Sequence, residues 1–288
     1  MPPRPNFRSP RPQPCRRQSR RRFKLRPYFR FLRRRRRDLR LFLRAVLKTP
    51  PLPRFLLVAV LLVLLFLSVN WIYQAISKPT EMLFPLEEAL DKSPRETWKE
   101  YGSLFHRHST AVVTAELLAA LAQAEGAGNP VARTYWRWRF SWNPLEWYQP
   151  ASSAVGMFQI TDATFDEGKR YCIHDHVVVA DGPWHDLRSC WFNSLYTRVL
   201  PSHAIELTAV LLDRQITRTV GNRRASLAQK QDLAAVIHLC GAGVGRDYVR
   251  RGFRLSLHQR CGDHDVRTYV AKINALKHQF SRMTSNPA

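Results

Sequence analysis

Acidic residues are scarce in this chain: 22 Asp and Glu residues stand against 46 Lys and Arg residues, a formal net charge of +24. They are almost absent from residues 1–54, where Asp38 is the one acid beside 20 Lys and Arg residues. These residues therefore hold a net charge of +19, which leaves +5 for the rest of the chain. The basicity belongs to an amino-terminal tail, so it says nothing about what a folded domain after it would bind.

Long apolar runs are equally rare, and only residues 55–77 (FLLVAVLLVLLFLSVNWIYQAIS) lack charge over a length that spans a bilayer as a helix. Trp71 and Tyr73 fall near its end, where aromatic rings prefer the interface. The excess of Lys and Arg before it predicts a cytoplasmic amino terminus and export of everything after Lys78. A cleaved signal peptide is the alternative. The long apolar stretch and the long basic arm favour an uncleaved anchor.

The tail itself has two parts. Residues 1–27 are rich in Pro and Arg with few aliphatic residues, which predicts disorder. Residues 28–48 mix basic and apolar side chains, which is typical of a helix on an anionic membrane surface. Nucleic-acid binding and docking of a cytoplasmic partner are the alternatives, and we favour anionic lipids over nucleic acid.

Cysteines are few, and four of the five follow the apolar stretch, the exception being Cys15. Four cysteines in an oxidising compartment indicate two disulfides. Of three possible connectivities we favour Cys172–Cys190 with Cys240–Cys261, because each closes a loop of roughly twenty residues. Buried free thiols are the alternative.

Convincing strands are also scarce, which excludes a β-rich domain; the valine run at 177–179 is the single candidate. A linker over 78–92 would lead to a mostly α domain over 93–288. Its first helix begins with a capping box at Ser93 and Glu96. The further predicted helices are one capped by Ser109 or Thr110 and ending near Glu125, a turn at 164–169, and helices over 203–216, 227–239 and 267–280.

Glu125 ends an apolar helical run over 111–124 and is followed by Gly126 and, four residues on, by Asn129. The carboxyl end of a helix carries partial negative charge, which favours the protonated form of a carboxyl held there. A protonated carboxyl near neutral pH is what a general acid for glycosidic cleavage requires. The alternative is an ordinary solvated acid at a helix end.

The residues around Glu125 resemble a known family. Ala-Glu-Gly-Ala-Gly-Asn-Pro, followed about thirty residues later by Gly156-Met157-Phe158-Gln159, resembles two signature blocks of the soluble lytic transglycosylases, which have a goose-lysozyme-like fold. The segment 266–270 is similar to a later Thr-Arg-x-Tyr-Val block and supplies Tyr269. The resemblance covers about residues 109–280 and implies a lysozyme-like (α+β) helical domain.

Several positions depart from the family pattern. Met157 and Phe158 stand where the family's Gly-Leu-Met-Gln block has Leu and Met. Its Ala-Tyr-Asn-Ala-Gly block is replaced by Leu-Cys-Gly-Ala-Gly, so the family's tyrosine falls on Cys240 and its asparagine on Gly241. Its serine after the catalytic glutamate is Gly126. Loss of that tyrosine motivates a second hypothesis, a non-catalytic peptidoglycan-binding or assembly module that works with other cell-wall proteins.

The resemblance implies a peptidoglycan lytic transglycosylase at the bacterial inner membrane, with its domain in the periplasm and no cofactor. Glu125 would act as acid and then base, while the Gly156–Gln159 block and Tyr269 would line the sugar site. Core packing of Met157 and Phe158 and a buried structural role for Tyr269 are the alternatives. Cleavage of the same bond by water, as in a lysozyme, is the closest alternative. Such hydrolases use a second carboxylate; we considered Glu146, Asp162, Asp166 and Glu206, and each has an ordinary structural interpretation.

Two insertions interrupt the family pattern. The first, over 134–150, is crowded with aromatic residues, of which Trp142, Trp147 and Tyr148 are candidates for stacking on sugar rings. A loop merely anchored by its tryptophans is the alternative. The second, over 170–200, contains His174 and His176 with nearby acids, but no complete metal-ligand spacing, so we predict no metal site.

Overall fold

The computed structural model describes residues 50–86, 88–183, 185–186 and 189–285. The predictions of disorder over 1–27 and of a lipid-binding helix over 28–48 lie outside these residues. The chain divides into two compact units, Met1–Phe66 and Leu67–Ala288.

The first helix, α1, covers Pro51–Ser77 and begins four residues earlier than predicted. Pro51 occupies its first position, where a missing N–H costs no hydrogen bond. Within the described residues, α1 is the one helix that is long and apolar enough to cross a membrane, by length and composition. Leu62 and Leu65 are each 60% exposed, as expected of side chains that would face lipid. The prediction of one apolar helix long enough to span a membrane is confirmed within the described residues.

The rest of the described chain is mostly helical, as predicted. The helices are α2 Pro94–Arg107, α3 Ala115–Gly126, α4 Asp162–Gly168, α5 Pro201–Val220, α6 Leu227–Arg250 and α7 Val266–Ser285. The capping box of α2 is present: Ser93 accepts from the backbone N–H of Glu96, whose carboxylate accepts from the N–H of Ser93. The predicted linker contains two 3₁₀ turns, Pro79–Leu86 and Glu88–Leu90.

Three short antiparallel hairpins accompany the helices. They pair β1 Trp136–Trp138 with β2 Tyr148–Pro150, β3 Tyr171–His174 with β4 Val177–Ala180, and β5 Arg260–Cys261 with β6 His264–Asp265. Only β4 was predicted from the sequence. Four of the others have only two or three residues, so no alternating pattern can be visible in them. The four residues of β3, Tyr-Cys-Ile-His, lack the β-branched run that marks β4.

The start of α3 differs from the prediction. Thr114 is its N-cap and accepts a hydrogen bond from the backbone N–H of Leu117, so the prediction of Ser109 or Thr110 as the cap was wrong. Thr110 instead accepts from the N–H groups of Val112 and Val113 and forms a separate turn. It also donates to Asp213 on α5, 2.6 Å away.

Helix α3 is the centre of the core. Leu117, Leu118 and Leu121 have no exposed surface. The helix packs against α2, α5 and α7, while α6 packs on α5 and α7. Eight of the twelve residues of α3 are buried, which explains why the helix is mostly apolar, in contrast to the one-sided pattern of a surface helix.

Both predicted disulfides are confirmed. Cys172 and Cys190 are joined with their Cα atoms 5.4 Å apart, and Cys240 and Cys261 with theirs 5.5 Å apart. The second disulfide connects α6 to the β5–β6 hairpin. Separations of this size are normal for native disulfides.

We expect the double variant Cys240→Ser/Cys261→Ser to lower the free energy of unfolding by about 3 kcal/mol, since the disulfide restricts a loop of roughly twenty residues in the unfolded chain. Chemical denaturation in detergent micelles, followed by tryptophan fluorescence, measures the change. The control is Cys15→Ser, which leaves both disulfides intact. Equal stability of the double variant and the control would contradict the expectation.

Candidate functional site

Glu125 lies in the last turn of α3 and its side chain is 19% exposed. The helix ends after it because Ala127 and Gly128 take left-handed backbone conformations, with φ of 48° and 67°. The carboxylate faces a cleft of about 600 Å³. The cleft is lined by Ala124, Glu125, Arg133, Thr134, Tyr135, Gln159, Asp263, His264, Asp265, Thr268, Tyr269 and Lys272.

Tyr269, on the first turn of α7, donates a hydrogen bond from its hydroxyl group to Oε1 of Glu125. Its side chain is buried, with 7% exposed. Burial, the negative charge of Glu125 and the hydrogen bond to it raise the pKa of the Tyr269 phenol above its ordinary value. The phenol therefore keeps its proton, so Tyr269 serves as a hydrogen-bond donor to Glu125.

The amino end of α7 is fixed by Asp265, whose carboxylate accepts from the backbone N–H and the hydroxyl of Thr268 at 2.8 and 2.9 Å. These hydrogen bonds lower the pKa of Asp265. Since Thr268 directly precedes Tyr269, the same cap helps to orient the tyrosine. The segment 266–270, which is similar to the family's Thr-Arg-x-Tyr-Val block, thus places its tyrosine against Glu125.

His238 is a site residue that the sequence reasoning missed. It lies on α6, its side chain is 15% exposed, and its Nε2 is 3.9 Å from Oε1 of Glu125. Three residues later Gly241 breaks the helix with φ of 80°. The position that would carry the family's tyrosine, Cys240, is instead occupied by a disulfide. The one indication of His238 in the sequence was its position, as a polar residue near the end of an apolar helical run and two residues before Cys240.

The carboxyl end of α3 packs directly on the loop that begins at Gly156. A Cβ atom added to Gly126 would lie 2.9 Å from Cα of Met157. One added to Gly156, whose φ is 80°, would lie 2.6 Å from the carbonyl oxygen of Arg198 and 3.0 Å from that of Pro130. Both glycines are therefore required by close backbone packing, which brings Glu125 and this loop to the same cleft.

Met157 and Phe158 were candidates for substrate contact with core packing as the alternative, and their placement favours core packing. Their side chains are 0% and 1% exposed and belong to the hydrophobic core. Gly156 is absent from the residues that line the cleft. It has a backbone role, accepting hydrogen bonds at its carbonyl oxygen from the backbone N–H and the side chain of Gln159.

Gln159 is the one residue of the block that lines the cleft. Its side-chain nitrogen donates to the carbonyl oxygens of Ala132 and Gly156, at 3.2 and 2.9 Å. Its side-chain oxygen has no hydrogen bond within the described part of the chain, so it can accept one from a ligand. Gln159 also borders a second cavity of about 180 Å³, which His238 and Gly241 help to line. The two cavities meet at Gln159.

The aromatic insertion is placed elsewhere. Of its aromatic residues only Tyr135 lines the cleft beside Glu125. Trp142 is fully exposed, the indole N–H of Trp147 donates to the carbonyl oxygen of Ser141, and Tyr148 lies against Trp136 and Trp138. The prediction that Trp142, Trp147 and Tyr148 line the sugar site is therefore not matched by the cleft that contains Glu125.

The four other acids that we considered are used elsewhere. Asp162 pairs with Arg198 and Asp166 with Lys169, while Glu146 accepts hydrogen bonds from Ser141 and Asn143. The acids that do share the cleft with Glu125 are Asp263 and Asp265. The sequence analysis overlooked both acids, because nothing in the short segment between Cys261 and α7 indicated that it would lie beside Glu125.

Glu206 is buried, with 5% exposed. It accepts from the backbone N–H of Ile173 and the hydroxyl of Tyr196, at 2.8 and 2.7 Å, and lies 3.6 Å from Nδ1 of His108. Burial lowers the pKa of His108, and the charge of Glu206 partly opposes this. Glu206 therefore fixes α5 to its neighbours. In the described residues, no cluster of three or more His, Cys, Asp or Glu side chains is arranged to hold a metal ion.

We expect Gly156→Ala to destabilise the protein more than Gly241→Ala does. Both glycines have φ of 80°, so each substitution incurs backbone strain of about 1–3 kcal/mol. Only at Gly156 does the new Cβ also overlap backbone oxygens, since the surroundings of Gly241 are open within 4 Å. Thermal unfolding of the two variants measures the difference. Equal shifts would contradict the close packing of this loop.

Comparison of the chain with protein-family models, with curated proteins and with solved structures gave no match. The resemblance carried by the blocks around Glu125 and Gln159 therefore stays a prediction.

Proposed function

We propose that this protein is a membrane-anchored lytic transglycosylase that cleaves the bond between N-acetylmuramic acid and N-acetylglucosamine in peptidoglycan. The observation that carries the proposal is the environment of Glu125. It faces a cleft that Gln159 also lines, and it accepts a hydrogen bond from Tyr269. A carboxyl group, a phenol and an amide around one cleft are the groups that acid–base cleavage of an amino-sugar polymer requires.

The hydrogen bonds around Glu125 favour one of its oxygens for the reaction. Oε1 accepts from Tyr269 and is the oxygen nearest to His238. Oε2 has no hydrogen bond to any described residue. A carboxylic acid whose one oxygen is already an acceptor carries its proton on the other. Oε2 is therefore the proposed proton donor to the bridging oxygen of the substrate.

The proposed reaction follows in two steps. Glu125 transfers its proton to the bridging oxygen, the bond from the anomeric carbon to that oxygen breaks, and N-acetylglucosamine leaves with a hydroxyl group. The carboxylate then takes the proton from the C6 hydroxyl of the same muramoyl sugar as its oxygen bonds to the anomeric carbon. The product is a 1,6-anhydro ring, Glu125 regains its proton, and no water is consumed. Tyr269 would stabilise the carboxylate formed between the steps.

The proposed fold is a lysozyme-like (α+β) domain. It is supported by helix α3, which is mostly buried and ends at Glu125. The predicted location is the bacterial inner membrane, with α1 as a single anchor. The Lys and Arg excess before α1 supports a cytoplasmic amino terminus. The two disulfides support a periplasmic domain, since that compartment is oxidising. Anionic lipids would then bind the basic tail, and peptidoglycan strands the cleft.

A lysozyme-type hydrolase is the second candidate, and one observation favours it. Asp263 and Asp265 line the cleft that contains Glu125. A second carboxylate would allow a base or nucleophile to act beside the acid. Asp265 is committed to capping α7 through Thr268, which leaves Asp263 as the more available of the two.

We expect Glu125→Gln to abolish release of 1,6-anhydro-muropeptides, because an amide of nearly the same shape has no proton to donate to the leaving oxygen. The full-length chain in detergent is incubated with purified sacculi, and the products are analysed by mass spectrometry. Glu116→Gln, in the first turn of the same helix, is the matched control and should retain activity. Products with reducing ends alone, lost in Asp263→Asn, would instead establish the hydrolase.

We expect Tyr269→Phe to reduce the turnover number by about 10- to 100-fold, since a hydrogen bond to a charged group contributes about 1.5–3 kcal/mol. The aromatic ring remains, so the melting temperature should change little. Tyr248→Phe is the control, a buried tyrosine of α6 that does not line the cleft. An unchanged turnover number in Tyr269→Phe would show that the hydrogen bond to Glu125 has no part in the reaction.

A further inference from the structure

The β1–β2 hairpin exposes an unusual amount of aromatic surface. Trp138, Phe140 and Trp142 are 63%, 91% and 104% exposed. Arg137 and Arg139 alternate with them, are also exposed, and form no salt bridge within the described residues. Contiguous exposed apolar side chains are uncommon on a soluble domain and mark a surface that contacts something else.

The hairpin tip, residues 139–147, is a built structure. The carboxylate of Glu146 accepts hydrogen bonds from the side chains of Ser141 and Asn143, at 2.9 and 3.1 Å. The indole N–H of Trp147 donates to the carbonyl oxygen of Ser141, 2.8 Å away. The exposed side chains of Phe140 and Trp142 are therefore presented by a loop with its own internal hydrogen bonds.

The hairpin tip is fastened to the carboxyl end of α1. The side-chain amides of Asn70 and Gln74 both donate to the carbonyl oxygen of Leu145, at 2.7 and 2.9 Å. Asn70 is 1% exposed and Gln74 is 6% exposed, so these contacts are buried. They lie near the carboxyl end of α1, on either side of Trp71. The tip is therefore held against the end of the candidate membrane span.

A second set of contacts holds the base of the hairpin. Glu81 has no exposed surface, and its Oε2 accepts from Arg133 and from the indole N–H of Trp136, each at 2.9 Å. Lys78 pairs with the same carboxylate at 3.1 Å. Beside these contacts is an open cleft of about 340 Å³, lined by Leu67, Asn70, Trp71, Arg133, Trp136 and Tyr148. Its wall is mainly aromatic and aliphatic.

We propose that the hairpin tip inserts into the lipid headgroup layer of the membrane that α1 crosses, as a second membrane contact of the domain. Indole rings have an apolar body and a polar edge, which suits the boundary between headgroups and acyl chains. Arg137 and Arg139 would bind anionic headgroups, and the open cleft would receive part of a lipid. The two contacts together hold the domain in one orientation to the membrane. This inference rests on the proposed anchoring by α1 and is independent of the proposed reaction.

Electron paramagnetic resonance of a nitroxide label tests the insertion. The full-length chain with Cys15→Ser and Trp142→Cys is labelled and reconstituted in vesicles of phosphatidylethanolamine and phosphatidylglycerol. We expect the label at position 142 to be severalfold less accessible to a water-soluble nickel chelate, and more accessible to oxygen, than a label introduced by Leu257→Cys. Leu257 is 73% exposed and distant in sequence from the hairpin, which makes it the matched control.

A second label, introduced by Phe140→Cys, guards against a local effect of replacing Trp142, and retention of both disulfides shows that each variant is folded. Labels at 140 and 142 that are as accessible to the nickel chelate as the control would overturn the proposal. Protection that appears only after soluble peptidoglycan fragments are added, and not in vesicles alone, would also overturn it. That result would instead indicate that these aromatic residues bind sugar.

Discussion

The close approach of the carboxyl end of α3 to the Gly156–Gln159 loop organises the rest of the site. Gly126 lies against the backbone of Met157, and Gly156 lies against two carbonyl oxygens, so neither position has room for a side chain. Met157 and Phe158 then fill the core beneath the loop. With those two side chains inside, Gln159 is the residue of the loop that lines the cleft, and Glu125 is held beside it by the mostly buried helix α3.

The residues on the other side of Glu125 come from α6 and α7, where these helices approach α3. Tyr269 reaches Glu125 from the first turn of α7, and His238 approaches the same oxygen from α6. The disulfide between Cys240 and Cys261 joins α6 to the hairpin that precedes α7. That hairpin supplies Asp263 and Asp265 to the cleft. The Leu-Cys-Gly-Ala-Gly segment therefore has a structural role here, because Cys240, where the resemblance would place a tyrosine, forms this disulfide.

The two proposals divide the aromatic and polar residues of the domain between two surfaces. The cleft that contains Glu125 is lined by several charged side chains, with Arg133 and Lys272 beside the acids. The hairpin that carries Trp138, Phe140 and Trp142 is attached to the end of α1 through Leu145. Arg133 contributes to both, because it lines the cleft and pairs with buried Glu81. A glycan strand and a lipid surface would thus be bound on neighbouring parts of one domain.

The sequence by itself determined the features that depend on neighbouring residues. The apolar anchor, the capping box at Ser93, the main helices, the local disulfide pairing and the position of Glu125 at a helix end were all predicted, because periodicity, caps and loop length are local properties. Only the tertiary structure decided which side chains share the cleft. Met157 and Phe158 are buried in the core, His238 lies near Glu125, Asp263 lines the same cleft, and Trp142 lies on another surface. These outcomes depend on contacts between distant segments, and the direction of a side chain in a loop is set by such packing rather than by its neighbours in sequence.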